Sequence, residues 1–148
     1  MIKIREMAEE DIAGVVEVER DSFSTPWTEK LFYDELNNPN TVYYVCSHDG
    51  EIIGYAGMWK VLDEGQITNI AVKSRFRKMG VGSGLLRELI ARAEKDGISV
   101  MGLEVREGNT NALLLYEKFG FKAVGNRKNY YKNPTENAVL MDLRLKDG

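Results

Sequence analysis

"SRFRKMGVGSGLLRELI", Ser74 to Ile90, sets Arg75, Arg77 and Lys78 against Gly80, Gly82 and Gly84 and then becomes an apolar run of helical spacing. Glycine lets the backbone approach a ligand closely, and the amides and dipole at a helix start favour anionic oxygen, so this composition suits a phosphate cradle. Two familiar cradles fail on register. A Walker loop needs a lysine directly after its last glycine, and none follows here. The dinucleotide fingerprint G-x-G-x-x-G would need glycine where Leu85 stands, followed by an acidic residue about 20 positions on. What remains is R-x-x-G-x-G, Arg77 to Gly82, between a strand ending near Val72 and a helix beginning near Val81. The bland alternative is a glycine-rich turn whose charges are merely solvated.

Working outward, Val81, Leu85, Leu86, Leu89, Ile90 and Ala93 follow helical spacing to a stop near Asp96-Gly97. Upstream, "EGQITNIAVK" reads as a strand, and "TVYYVCSHDGEIIGYAGMWKVL" as two strands around a His48-Asp49-Gly50 turn. Before these, "IKIRE" is a short strand, and an acidic start at Glu9 leads Ile12, Val15, Val16 and Val18 toward Ser22. "TPWTEKLFYDELNN" supplies Thr28 as an N-cap and Leu31, Phe32 and Leu36 as an apolar face, closed by Pro39. Downstream, "SVMGLEVR" is a strand, Asn109 to Lys118 a short helix with Gly120 just past it, and "FKAVGNRK" with "AVLMDLRL" a final strand pair. The order β, α, α, three strands, α, β, α, two strands predicts an α/β (α+β) fold, a mixed sheet flanked by helices.

The 148 residues, 43% of them hydrophobic, suit one domain over 1–148, since no repeat or linker divides the chain. A net charge of -3 argues against a general nucleic-acid binder, and a local basic cluster in an acidic chain points to one small anionic ligand. One cysteine and one histidine provide neither an intramolecular disulfide nor a zinc site of the usual kind, so no metal is expected. No apolar run reaches the roughly 18 residues of a membrane span, and "MIKIREMAEEDI" is too acidic for a signal peptide. The expectation is a cytoplasmic protein with no membrane or nucleic-acid partner.

R-x-x-G-x-G after a strand, followed by "GSGLL", resembles the acetyl-CoA loop of the GNAT superfamily of N-acetyltransferases, and "LEVREGNTNALLLYEKFGF" resembles the second half of that family's pattern. The likeness covers essentially the whole chain. Within the superfamily, "STPWTEKLF", "QITNIAV", "LEVR" and "RKNYY" look like the enzymes that acetylate the N-terminal alanine of a ribosomal protein. The resemblance implies a GNAT-type, mostly antiparallel sheet of about seven strands with about four helices. It also implies acetyl-CoA as co-substrate. Its pyrophosphate would be held by amides across Lys78, Met79, Gly80, Val81, Gly82 and Ser83, introduced by Arg77. Ile70, Ala71 and Val72 would pair through their backbone with the pantetheine arm, as an added strand pairs with an open sheet edge. Asn109 would meet the same arm. Ile70 and Val72 could equally be core residues, and Asn109 only a helix N-cap.

The chemistry asks for few groups. A free α-amine, with a pKa around 7.7 to 8.0, is already partly neutral near pH 7, so a modest base suffices. Met101, Leu103 and Val105 alternate on one face of their strand, which sends Glu104 and Arg106 to the other. The resemblance makes Glu104 the acceptor of the amine proton, through water, and Tyr116 the donor to the departing thiolate. By spacing alone, Glu104 with Arg106 is a solvated pair, and Tyr116 shares a core stripe with Ala112 and Phe119. The oxyanion donor expected is a backbone amide near Ile70 to Val72. A covalent route through Cys46 and His48 is disfavoured, because His48 belongs to a turn and Cys46 to an apolar strand. Trp27, Tyr33, Tyr130 and Tyr131 are candidate walls for a peptide N-terminus, with Asp34 and Glu35 attracting a basic chain behind it. Other readings are a broader N-terminal acetyltransferase, a small-molecule amine acetyltransferase and a noncatalytic acetyl-CoA sensor.

Overall fold

The computed structural model describes residues 2–145. Seven strands form one sheet: β1 (Ile2–Glu6), β2 (Thr41–His48), β3 (Glu51–Val61), β4 (Glu64–Val72), β5 (Val100–Arg106), β6 (Lys122–Tyr131) and β7 (Glu136–Arg144). Four α-helices accompany them: α1 (Ile12–Ser22), α2 (Glu29–Leu36), α3 (Val81–Lys95) and α4 (Thr110–Lys118). Short 3-10 turns at Glu9–Asp11 and Ser74–Phe76 lead into α1 and into the glycine loop. The strand order is β1-β2-β3-β4-β5-β7-β6, antiparallel throughout except for β4 and β5. The element order and the mixed sheet are those read from the residues, and the mostly antiparallel sheet of seven strands with four helices is the one the resemblance implied.

Local chemistry explains the boundaries. Asp49 and Gly50 both take positive φ, 50° and 86°, in a two-residue turn between His48 and Glu51, the backbone that a tight hairpin requires. Thr28 caps α2 by accepting from the Leu31 amide at 3.3 Å. Gly80, left-handed at φ 82°, opens α3, and Gly97 at φ 77° lets the chain leave it.

Alternation along β2 divides the core. Val42, Tyr44 and Cys46 face α3, where Leu85, Leu86 and Leu89 are fully buried, each contributing on the order of 2 kcal/mol. Tyr43 and Val45 face α1 and α2, and pack with Val15, Val16, Val18, Phe32 and Tyr55. On that second face the Tyr43 ring occupies the space beside Gly57, where a Cβ would stand 2.2 Å from it. The apolar face expected of α2 is narrower than the sequence suggests. Phe32 is buried at 1% exposure whereas Leu31 is 46% exposed, because one helix of eight residues presents only a single turn to the sheet. Among the described residues no helix is long and apolar enough to cross a membrane.

Candidate active site

The two parallel strands part company early. β4 and β5 pair only from Glu64–Gln66 to Val100–Gly102, although β4 runs on to Val72 and β5 to Arg106. A register shift in the β3–β4 ladder gives Thr68 no partner, and beyond it Asn69, Ile70, Ala71 and Val72 pair with β3 alone. The result is a wedge with one unpaired backbone edge on each side. At its open end lies the glycine loop. The first hydrogen bond inside α3 is Gly84 N to Gly80 O at 3.0 Å, and no side chain caps the helix, so the amides of Val81, Gly82 and Ser83 have no partner within it. A Cβ at Gly80 would meet nothing within 4 Å, while one at Gly82 would touch Leu115 and Val72 at 3.5 and 4.0 Å. The end of β4, the start of α3 and the flank of α4 therefore meet at one point.

The cations of the loop divide into two groups. Arg75 and Lys73 are engaged by Glu51, Lys73 at 3.0 Å. Arg77, Lys78, Met79 and Gly80 are exposed, with Arg77 Nε donating to the Val72 carbonyl at 3.0 Å, so its side chain ties the loop to the end of β4. An open strand edge, free helix-start amides and open space at Gly80 fit an extended arm ending in a pyrophosphate. Asn109 does cap α4, accepting from the Ala112 amide at 3.2 Å through Oδ1, which leaves its NH₂ uncommitted to the cap.

Glu104 stands where the strands separate. Its Oε1 accepts from Gln66 Nε2 at 3.1 Å, and its Oε2 is buried with no hydrogen-bond partner among the described residues. A buried, unsatisfied carboxylate oxygen is costly and rare in a folded protein. Tyr130 and Tyr131 of β6 come to the same carboxylate. A hydrogen-bonding approach to Glu104, ahead of partial burial, raises the Tyr130 hydroxyl, yet Oε2 has no partner within hydrogen-bond geometry among the described residues. Tyr131 is pushed up to about 12, by burial first and by the Glu104 charge second. Tyr116 is 7% exposed, and burial, with Tyr131 adding to it, moves its hydroxyl well above the usual tyrosine value. Its ring packs edge-on against Phe121 at 5.6 Å. Glu104, Tyr116, Tyr130 and Tyr131 are thus one cluster at the wedge.

The rim is built by Arg106, which sequence reading paired only with Glu104. Its guanidinium donates to Lys132 O at 3.0 Å, Pro134 O at 3.0 Å and Glu136 Oε1 at 3.1 Å, and lies 4.5 Å from the Tyr131 ring centre. Ser24, between α1 and α2, donates to the Asn133 carbonyl at 2.9 Å and joins that connection to the β6–β7 loop. Trp27 and Tyr33 do not join the cluster by any ring contact or hydrogen bond among the described residues. Trp27 packs on Phe32 at 5.3 Å, and Tyr33 is 45% exposed on α2. Nor are the expected acidic attractors free. Lys30 donates to Asp34 at 2.8 Å, and Glu35 accepts from Tyr43 at 2.7 Å and from the Trp59 indole at 2.5 Å.

Residues far apart in the chain supply what the sequence left unseen. Glu19 of α1 is 1% exposed, accepts from Tyr55 and from the Trp27 amide, and is raised in pKa by burial. Its signal is faint, one acidic residue in an apolar helix stripe. Gln66 looks like an ordinary polar position of a strand. Cys46 is fully buried with its thiol pushed up by burial, and the His48 ring rests 5.5 Å from Phe76, so the two form no dyad.

The acetyltransferase (GNAT) family pattern matches residues 12–121. A Bacillus subtilis (strain 168) protein, whose name proposes a ribosomal protein bS18-alanine N-acetyltransferase, is 43% identical over 145 residues, 97% of this chain and 96% of its own. The ribosomal protein bS18-alanine N-acetyltransferase of Escherichia coli (strain K12) is 34% identical over 139 residues, 91% of this chain and 92% of its own. The crystal structure of the ribosomal-protein-S18-alanine N-acetyltransferase from Escherichia coli superposes with a TM-score of 0.92 at 31% identity, over 100% of this chain and 96% of that one. With that pattern, those relatives and a sheet split between β4 and β5, the chain belongs to the acetyltransferase (GNAT) family, acyltransferases whose acetyl donor is acetyl-CoA.

Proposed function

We propose that residues 1–148 form a single N-acetyltransferase domain that moves the acetyl group of acetyl-CoA to a protein N-terminal α-amine in the cytoplasm, the preferred acceptor being the N-terminal alanine of a small-subunit ribosomal protein. The observation that carries this reading is Glu104 Oε2, a buried acceptor with no partner among the described residues, at the head of the wedge. The names of the relatives, covering nearly all of both chains, support the acceptor class.

Acetyl-CoA supplies an activated acyl group on a thioester. For its part the chain binds the pyrophosphate with the amides of Lys78 to Ser83 and the side chain of Arg77, and offers the Ile70 to Val72 edge and Asn109 to the pantetheine arm. Glu104 takes the proton of the attacking amine, directly or through one water. Tyr116, kept protonated by burial, donates to the departing sulfur. A backbone amide of the β4 edge faces the charge that develops on the carbonyl oxygen. One proton leaves the amine and one reaches the thiol, so the exchange balances. Tyr130 and Tyr131, backed by the loop that Arg106 holds, wall the acceptor side, with Trp27 and Tyr33 toward the outer rim.

The test is release of CoA thiol with a peptide beginning Ala-Arg and with the same peptide blocked at its α-amine. Release with the free amine alone is expected. Equal release from both moves the reaction to lysine side chains, and release from neither turns attention to small amines.

A further inference from the structure

Gln66 is the last residue of β4 that pairs with β5, opposite Gly102. Two positions along β5, on the same face, stands Glu104, where the strands part. The Gln66 side chain crosses the seam at that point and its Nε2 donates to Glu104 Oε1 at 3.1 Å. An ionised carboxylate only accepts, so the NH₂ end of the amide is the end that must face it. Gln66 Oε1 lies over Gly102, where a Cβ would stand 3.2 Å from it and 3.1 Å from Asp142 Oδ1. The missing side chain of Gly102 is the space that the crossing uses.

We propose that Gln66 is a positioning residue for proton transfer at Glu104: its amide holds Oε1, which fixes the carboxylate plane and presents Oε2 to the incoming amine or its water. Unheld, a glutamate rotates about three side-chain bonds, the last of them broad and weakly restricted. The neighbours do not supply this restraint. Arg106, on the same strand face, is taken up by Lys132, Pro134 and Glu136. The Tyr130 hydroxyl, though directed at Glu104 from β6, makes no bond to Oε2 within hydrogen-bond geometry, so Gln66 gives the one side-chain hydrogen bond to this carboxylate among the described residues. The inference rests on Glu104 being the base proposed above.

Gln66→Met keeps the length of the side chain and removes the donor. With the Ala-Arg peptide, kcat should fall about tenfold, the rate equivalent of one hydrogen bond to a charged group, while KM for acetyl-CoA and for peptide hold. Gln66→Asn retains the donor but shortens its reach, and should show the same loss. In a Glu104→Gln background Gln66→Met should cost nothing further, because its effect runs through the carboxylate. Losses that multiply in the double variant overturn the proposal, as does full turnover in Gln66→Met with Glu104→Gln impaired. Full turnover in Glu104→Gln alone removes the base reading and this one with it, an outcome distinct from the other two.

Discussion

Tyr116 sits at the junction of two roles. Spacing assigns it to a stripe with Ala112 and Phe119, and it is indeed buried, packed against Phe121. The same burial raises its hydroxyl and so keeps the proton in place across neutral pH. On the proposed chemistry, Tyr116→Phe retains the ring packing and lowers kcat by about a hundredfold or more with little change in acetyl-CoA affinity. Steady-state kinetics beside calorimetric binding of CoA decide it, and equal losses in both would sink the donor role. The face of Glu104 was legible in the sequence, because strand side chains alternate with period two. Its tether was not, because Gln66 lies 38 positions away and only strand pairing brings the two together.

Among the elements, the β6–β7 loop depends most on a single side chain. Arg106 satisfies two of its carbonyls and the Glu136 carboxylate while stacking on Tyr131. Three directed bonds and a ring contact are work for a planar guanidinium rather than for a point charge. Arg106→Leu should therefore raise KM for the acceptor peptide about tenfold, the loss expected for a misplaced binding loop, and leave acetyl-CoA affinity near wild type. Isothermal titration with CoA beside peptide saturation curves separates the two. A parallel fall in CoA affinity would show instead that the wedge itself has been disturbed. The helices were easier to read than this loop. Thr28, Gly97 and the Leu85-Leu86-Leu89 stripe act within a few residues of themselves, whereas the partners of Arg106 lie 26 to 30 positions away.

For the whole molecule, Glu19 links layers, with Tyr55 reaching it from β3 and the Trp27 amide from the connection after α1. Burial raises its pKa above the ordinary 4.5. Below that value the carboxyl is protonated in folded and unfolded chains alike, and the full contribution to stability is present. As pH rises the unfolded chain loses its proton first, so this contribution declines and is lost through the higher folded pKa. Glu19→Gln should remove the decline, giving a flatter dependence of urea-unfolding free energy over about pH 4 to 8 than the wild type. Equal slopes in the two proteins would show that Glu19 is not raised. What the sequence by itself determined was the order of elements, the two faces of the sheet and the glycine loop at the head of α3, since each is written in periodicity or in contiguous residues. Only the tertiary structure decided where β4 and β5 separate, that Gln66 reaches Glu104, that Arg106 holds a distant loop and that a carboxylate lies sealed beneath α1. These are set by strand register and by the burial of side chains from segments that share no local signal.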